Sequence, residues 1–285
     1  MPSSHSPSLL VVAERTLREK CKVPPGSRVL LAVSGGGDSM AMLHVMASLS
    51  NRLGLELHAH GVDHGLRLEA QAELEGARRL AQSLGVPFSS SRIAVLPGGN
   101  LQARARNQRF VALRQVAQTL SMSFVATAHH ADDRAETVLI RLMRGSGPVG
   151  LAVLPPQAQD LLRPLICARR DDIRLHLERH RIQFAEDPSN KDPRYLRSRI
   201  RHHILPAISR ESPGIVGHLN SLADRMLELD EANIVAPLGL TRTQAEALQR
   251  IIQRGCDGAE IALAGGWVLK LERKRIRPDS AAELP

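Results

Sequence analysis

The run Arg28-Val-Leu-Leu-Ala-Val-Ser-Gly-Gly-Gly-Asp-Ser39 decides the architecture of this chain. Its first half is a short β-branched and apolar stretch, preceded by Pro24, Pro25 and Gly26, which reads as a buried strand. Its second half drops the side chain at three successive positions and ends in Asp-Ser. Met40 to Leu49 then continues as an apolar-rich helix. Strand, glycine turn and helix together open a parallel α/β unit. Backbone N–H groups in such a turn can point at an anion, and the helix N-terminus adds about half a positive charge. Gly35, Gly36 and Gly37 clear the approach, while Ser34 and Ser39 offer hydroxyl donors. A Walker A loop carries a lysine here for the terminal phosphates. This loop carries Asp38 instead, a carboxylate suited to holding Mg2+ against phosphate.

Outward from the loop, the alternation repeats. Strands are expected at Leu55–Val62, Phe88–Val95 and Phe124–Ala128. Helices are expected at 8–20, Glu69–Leu84, Leu101–Leu120 and Asp132–Met143. The pattern predicts a doubly wound, Rossmann-like parallel sheet with its ligand crevice at the carboxyl ends of the strands. Past Gly147 the alternation fades into a helical extension, with a charged helix over Arg169–His180 and a loop at Glu186-Asp-Pro-Ser-Asn190. We divide the chain into a catalytic domain over 1–205, ending in a basic helix, and a small accessory domain over 206–285. The latter should hold helices near 214–232 and 241–254 and a hairpin around Gly265-Gly266. The charged run Glu272–Arg277 reads equally as a solvated terminus or an RNA contact.

The composition narrows the partners. Of 285 residues, 43% are hydrophobic and 24% charged, with a formal charge of +9 that points to a polyanion bound through its phosphates. Aromatic residues make up only 2%, which argues against a base-stacking platform. Cys21, Cys167 and Cys256 are scattered, with no paired spacing for a disulfide framework or a zinc site. No stretch reaches the roughly 18 apolar residues that span a bilayer. The run from Ser8 meets Glu14 and Arg15 too soon for a signal core. A cytoplasmic protein with no membrane partner is expected.

A second constellation lies at Phe124-Val-Ala-Thr-Ala-His-His-Ala-Asp-Asp-Arg-Ala-Glu-Thr137, where a strand runs into a helix start. Asp133 and Glu136 are three apart and share one helix face. Acidic groups in a first turn also gain about 0.3–1 kcal/mol from the helix dipole, which is their plainer role. The spacing of His129, His130, Asp132 and Asp133 matches no standard zinc set. Further on, residues 191–210 carry six Lys or Arg against the single acid Asp192. Asp192-Pro193 reads as the cap and first position of a helix. Leu196, Ile200 and Ile204 would form its apolar stripe, with Arg194, Arg197 and Arg201 beside it facing an RNA backbone or solvent.

Ser-Gly-Gly-x-Asp-Ser resembles the pyrophosphate loop of the N-type ATP pyrophosphatases. Taken in order, Ser34–Ser39, His60-Gly-Val-Asp-His-Gly-Leu-Arg67, Ala105-Arg-Asn-Gln-Arg-Phe110, Ala128–Thr137, Arg163-Pro-Leu165 and Glu186–Asn190 resemble the tRNA(Ile)-lysidine synthetase family over about residues 28–206. The resemblance implies ATP and Mg2+, with lysine ligated to the wobble cytidine, position 34, of a CAU-anticodon tRNA(Ile) through an adenylated cytidine, releasing AMP and pyrophosphate. It places ATP phosphates on Ser34–Ser39, Mg2+ on Asp38, and the nucleotide beside His60 and His64. Arg106 would act at the reacting centre and Arg109 on phosphate or cytidine, both on a helix whose plainer reading is a basic surface face. Asp133 and Glu136 would recognise free L-lysine. Two positions depart from the family pattern: Arg134 replaces a usual glutamine, and Ser198 stands where asparagine commonly follows arginine. The alternative is a related tRNA thiolase or another adenylating enzyme, although thiolation usually asks for a reactive cysteine or an iron–sulfur set. The C-terminal part looks short beside longer family members, and a homodimer is compatible with the sequence.

Overall fold

The computed structural model describes residues 8–63, 69–93, 101–185, 192–232 and three strands within 260–280. Strands β1 (Arg28–Ala32), β2 (Glu56–Asp63), β3 (Phe88–Arg92), β4 (Phe124–Ala126), β5 (Gln157–Ala158) and β6 (Leu161–Leu162) build one sheet in the order β3-β2-β1-β4-β6-β5. All neighbours pair in parallel except β5, which closes the edge antiparallel to β6.

The apolar run of β1 explains why this strand is central. Successive side chains leave a strand on opposite faces, and here both faces are covered. Val29 and Leu31 enter a core with Met42, Met46, Ala77 and Ile173, whereas Leu30 enters a second core with Leu113 and Val125. Burying a side chain of this size contributes about 1.5–3 kcal/mol. The first face is covered by α1 (Leu9–Arg15), α2 (Gly37–Leu53), α3 (Glu69–Ser83) and α7 (Arg170–Arg179), and the second by α4 (Leu101–Thr119). This is the doubly wound arrangement.

From β1 the chain steps to β2 and β3 in one direction, then returns to lay β4 along the opposite side of β1. The order reverses between β1 and β4, so a crevice opens beyond their carboxyl ends. Two segments sit there: the glycine turn that starts α2, and Thr127–His130, which starts α5 (Ala131–Met143).

The helical extension comprises α6 (Pro148–Leu151), α7, α8 (Leu196–Arg199), α9 (Leu205–Glu211) and α10 (Ile215–Ala232), with a π-helical turn at Ile200–Ile204 joining α8 to α9. A similar turn at Thr16–Lys20 prolongs α1. The helix expected from Asp192-Pro193 begins only at Leu196, because Asp192 closes a turn instead of capping. Its carboxylate accepts the Arg194 N–H at 3.0 Å, and its carbonyl accepts the Tyr195 N–H at 3.3 Å.

The chain divides into two compact units, 1–225 and 226–285. Within the second, β7 (Glu260–Ala262), β8 (Trp267–Glu272) and β9 (Arg275–Ser280) form an antiparallel sheet in that order, so much of the charged run 272–277 is strand. The helix expected near 241–254 lies outside the described residues. Among the described residues, no helix is long and apolar enough to cross a membrane.

Candidate active site

Two of the three glycines of the turn have a steric reason to lack a side chain, and the third does not. Gly35 has φ +82°, and a Cβ there would stand 2.6 Å from the backbone carbonyl oxygen of Glu73 on α3. At Gly37 a Cβ would press on Phe184 and Leu177 at 3.2 and 3.3 Å. At Gly36 it would meet only Ser34 Oγ at 3.7 Å, so this position is open. Ser39 Oγ donates to the Gly36 carbonyl at 2.8 Å and accepts the Ser34 N–H at 3.1 Å. Ser39 is therefore buried and spent on the shape of the turn, while Ser34 remains exposed. From the other side, the Ala185 N–H donates to the Gly35 carbonyl at 3.0 Å.

Asp38 projects half-exposed from the first turn of α2 toward the start of α5. There the fully buried His130 is ringed by three carboxylates. Its Nε2 lies 3.7 Å from Asp38 and 3.4 Å from Asp133, and its Nδ1 lies 3.6 Å from Asp132. Those spacings are ionic contacts, too long for good hydrogen bonds, and both ring nitrogens are otherwise without a partner. Burial alone would push the His130 pKa down, but Asp132, Asp133 and Asp38 together hold it above the usual value. Asp38 is shifted upward, mainly because the crevice withdraws it in part from water and further because Asp133 is near. Burial also opposes ionisation of Asp133 and Glu136, yet neighbouring cations win and hold both carboxyls low.

Those cations are arginines. Glu136 is completely buried and accepts from Arg170 at 2.7 Å, from Arg197 at 3.0 Å and from both Nε and Nη2 of Arg201 at 2.8 and 2.9 Å. Arg201 also reaches Asp133 Oδ1 at 2.9 Å, bridging the two acids on their shared helix face. Asp133 additionally accepts the His130 N–H at 3.3 Å, so it caps α5 as well. Asp132 takes the Arg170 N–H at 2.8 Å and the Arg169 guanidinium at 3.3 Å, and its pKa is far below normal. Arg169, Arg170 and the central position of His130 were not singled out from sequence. The signal available was the Arg-Arg pair opening a helix just after Arg163-Pro-Leu165.

The other expected site residues fall in different places. Arg197 and Arg201 turn inward onto α5, and only Arg194 stays on the surface, 83% exposed and paired with Asp192. Arg106 and Arg109 flank Phe110 on α4, with guanidinium carbons 5.8 and 5.7 Å from its ring centre. Burial lowers the pKa of both; Arg197 lowers that of Arg106 further, whereas Asp133 pulls it back up. Arg134, one of the two departures from the family pattern, points away from the crevice. It donates to the Val153 carbonyl at 2.9 Å and pairs with Asp224 of α10 at 2.5 Å. Ser198 is buried on α8. His64 and Glu186–Asn190 lie outside the described residues.

His60 is buried in β2, and both of its ring nitrogens are taken, Nδ1 by Ser89 at 2.8 Å and Nε2 by Ser91 at 2.9 Å. It fastens β2 to β3 and has no ring nitrogen left for a nucleotide. Burial, aided by His58, lowers its pKa from 6.5 to about 4. Between those values the unfolded chain binds a proton that the folded chain refuses, so stability falls as pH drops through this window. Melting temperatures should decline accordingly on acidification. His60→Gln, whose amide can still serve both serines, should flatten part of the decline; an unchanged slope would refute this assignment.

Comparison with known proteins fits this geometry. A family model described as a PP-loop domain matches residues 9–208. A tRNA(Ile)-lysidine synthase from Geobacter sulfurreducens is 35% identical over 262 residues, covering 89% of this chain and 52% of that protein. One from Rhodopseudomonas palustris is 43% identical over 190 residues, covering 64% and 55%. The chain spans about half the length of these relatives. Among solved structures, a U34-tRNA thiolase from Methanococcus maripaludis with its [4Fe-4S] cluster superposes with a TM-score of 0.65 at 18% identity, covering 77% of this chain and 79% of that one. That likeness concerns the fold. With a lysine-free phosphate loop at the β1–β4 reversal and a matching model over most of its length, the chain belongs to the PP-loop family.

Proposed function

We propose that this protein ligates L-lysine to the wobble cytidine of a tRNA(Ile) with a CAU anticodon, consuming ATP and releasing AMP and pyrophosphate. The reading rests chiefly on one observation: the phosphate loop and an acid–arginine cluster face each other across one crevice. The names of the curated relatives give the reaction class. Its setting would be the cytoplasm, where ATP, lysine and tRNA coexist.

Cytosine C2 is a poor electrophile because the ring donates electrons into its carbonyl. Attack of O2 on the ATP α-phosphorus expels pyrophosphate and makes the oxygen a leaving group. The lysine ε-amine then adds to C2, loses a proton, and AMP departs with the oxygen. The exposed Ser34 hydroxyl and the open backbone at Gly36 would receive ATP phosphates. Asp38, with Asp133 close behind, suits Mg2+, a cation that favours carboxylate oxygen. The upward pKa shift of Asp38 marks a site where added positive charge is welcome. Mg2+ bound there would neutralise phosphate charge. Arg106 would face the developing negative charge, and Arg109 and Arg194 would meet RNA phosphate.

Lysine recognition involves an exchange of partners. Glu136 is saturated by arginines, of which Arg197 is the most exposed at 37% against 20% for the other two. An incoming ammonium would displace Arg197 from Glu136 and Asp133 and free it for RNA. The thiolase alternative is disfavoured by Cys21. It is buried, donates to the Pro156 carbonyl, and has a thiol pKa pushed up to about 11, so it is not a ready thiolate nucleophile; Cys167 is free and exposed.

Incubating the chain with ATP, Mg2+, labelled lysine and a minor tRNA(Ile) transcript tests the proposal. Label should enter the RNA, and should not do so when cytidine 34 is replaced by uridine. Equal labelling of both transcripts would exclude this reading. Two loop variants separate shape from binding. Gly35→Ala should fold poorly, losing at least about 1–3 kcal/mol through its strained backbone and the Glu73 clash. Gly36→Ala should melt normally and raise the KM for ATP severalfold. A normal KM there would remove phosphates from Gly36.

A further inference from the structure

His44 on α2, His176 on α7 and His180, which caps the C-terminus of α7, gather three imidazoles outside the crevice machinery. One ring nitrogen from each lies within 4.8 Å of the others. His176 Nε2 and His44 Nδ1 are hydrogen-bonded at 3.1 Å, a bond whose proton a bound ion would replace, and the ring centres are separated by 4.4 to 5.0 Å. His176 lies in the last turn of α7 and His180 directly follows that helix, with their ring centres 4.4 Å apart. His44 completes the triangle from the facing helix, about 9 Å along α2 from Asp38 at 1.5 Å per residue. Among the described residues this is the one histidine, cysteine or carboxylate group drawn together so closely.

We propose that His44, His176 and His180 form a binding site for a divalent transition-metal ion of the zinc class, with a fourth position left to water. Imidazole nitrogen suits Zn2+, Ni2+ and Cu2+, whereas Mg2+ and Ca2+ select oxygen. A tetrahedral ion with nitrogen ligands at 2.0–2.1 Å sets them about 3.4 Å apart. The His44–His176 pair is already close to that spacing, and His180, which is exposed, offers its nitrogen within 4.8 Å of both. Binding requires neutral rings. Burial, with His180 and His44 adding, holds His176 at about 4, and burial with His180 lowers His44 too. The ion would clamp α2 to α7. Both helices serve the phosphate loop, since Gly37 begins α2 and Leu177 of α7 packs on it.

Metal-stripped protein, titrated with Co2+ and then Zn2+, tests this. One equivalent of Co2+ should give the strong visible absorption of tetrahedral coordination, Zn2+ should bleach it, and Zn2+ should raise the melting temperature. His180→Asn, an exposed change, should weaken Zn2+ binding by more than roughly tenfold, and His176→Asn should abolish the Co2+ band. The chain has twelve histidines, so binding that survives unchanged in His180→Asn belongs elsewhere and overturns the proposal. Absence of binding in the unaltered protein overturns it as well, leaving three packed neutral rings. Should His176→Asn fail to fold, His180→Asn alone decides.

Discussion

Asp38→Asn is expected to slow AMP release by about 10²–10³-fold, the scale seen when one preorganised electrostatic contact is removed, while the melting temperature holds or rises slightly. The two halves of this result have one cause. The Asp38 carboxyl is raised above its ordinary pKa, so near neutral pH its charge is harder to carry in the folded chain than in the unfolded one. For a carboxyl with a raised folded pKa the sign is plain: ionisation costs stability, and neutralising the group restores it. Its nearest cation among the described residues is His130 at 3.7 Å, which compensates only in part. Such a cost fits the proposed role of Asp38 as a cation ligand. Circular-dichroism melting beside a steady-state AMP assay checks both halves. A large drop in melting temperature would make Asp38 a structural residue and sink the assignment.

Glu136→Ala is expected to do the reverse and strike the fold first. Four hydrogen bonds from Arg170, Arg197 and Arg201 converge on this fully buried carboxylate. Removing one member of a buried ionic group leaves uncompensated charge and costs about 3–5 kcal/mol. The arginines are 20–37% exposed and can recover some hydration, which places the loss near the lower end, about 3 kcal/mol. For a domain of this size the melting temperature should fall by roughly 6–12 °C. Glu136→Gln, which keeps the shape and one acceptor, should lose less. Chemical denaturation of the two variants measures the difference. Equal stability to the unaltered protein would mean that the arginines do not depend on Glu136.

The backbone of the first unit was readable because its signals are local. The apolar run Val29–Val33, the breaks at Pro24–Gly26 and Gly145–Pro148, and the alternation between them specify strands and helices without reference to distant residues. The position of the crevice followed too, since a glycine turn after one strand and an acidic helix start after another meet where strand order reverses. What sequence did not reveal is how side chains choose partners in space. Arg194, Arg197 and Arg201 were expected on one helical stripe, yet the helix starts only at Leu196; Arg197 and Arg201 face Glu136, and Arg194 stays in the preceding turn facing solvent. The stripe was visible, but its docking direction was set by a buried acid some 60 positions earlier. His60 stood in a motif suggestive of a ligand, but the serines of β3 claimed both its nitrogens. Arg134, at a departure from the family pattern, proved to be tied to Asp224 across the fold. The His44–His176–His180 cluster joins helices more than 130 residues apart, beyond the reach of any spacing rule.

Inward arginines also bear on substrate order. If lysine displaces Arg197, lysine should increase the affinity of the protein for tRNA, and tRNA should by reciprocity increase the affinity for lysine. The acid–arginine cluster then serves as a link between the small substrate and the large one.

The most direct measurement of the central claim is AMP release from ATP by this chain alone, with a CAU-anticodon tRNA(Ile) transcript, with and without lysine. Sustained release that requires both lysine and cytidine 34 is the predicted result. Release indifferent to lysine, or equally supported by a transcript lacking that cytidine, would contradict it and leave a PP-loop enzyme that adenylates a different substrate.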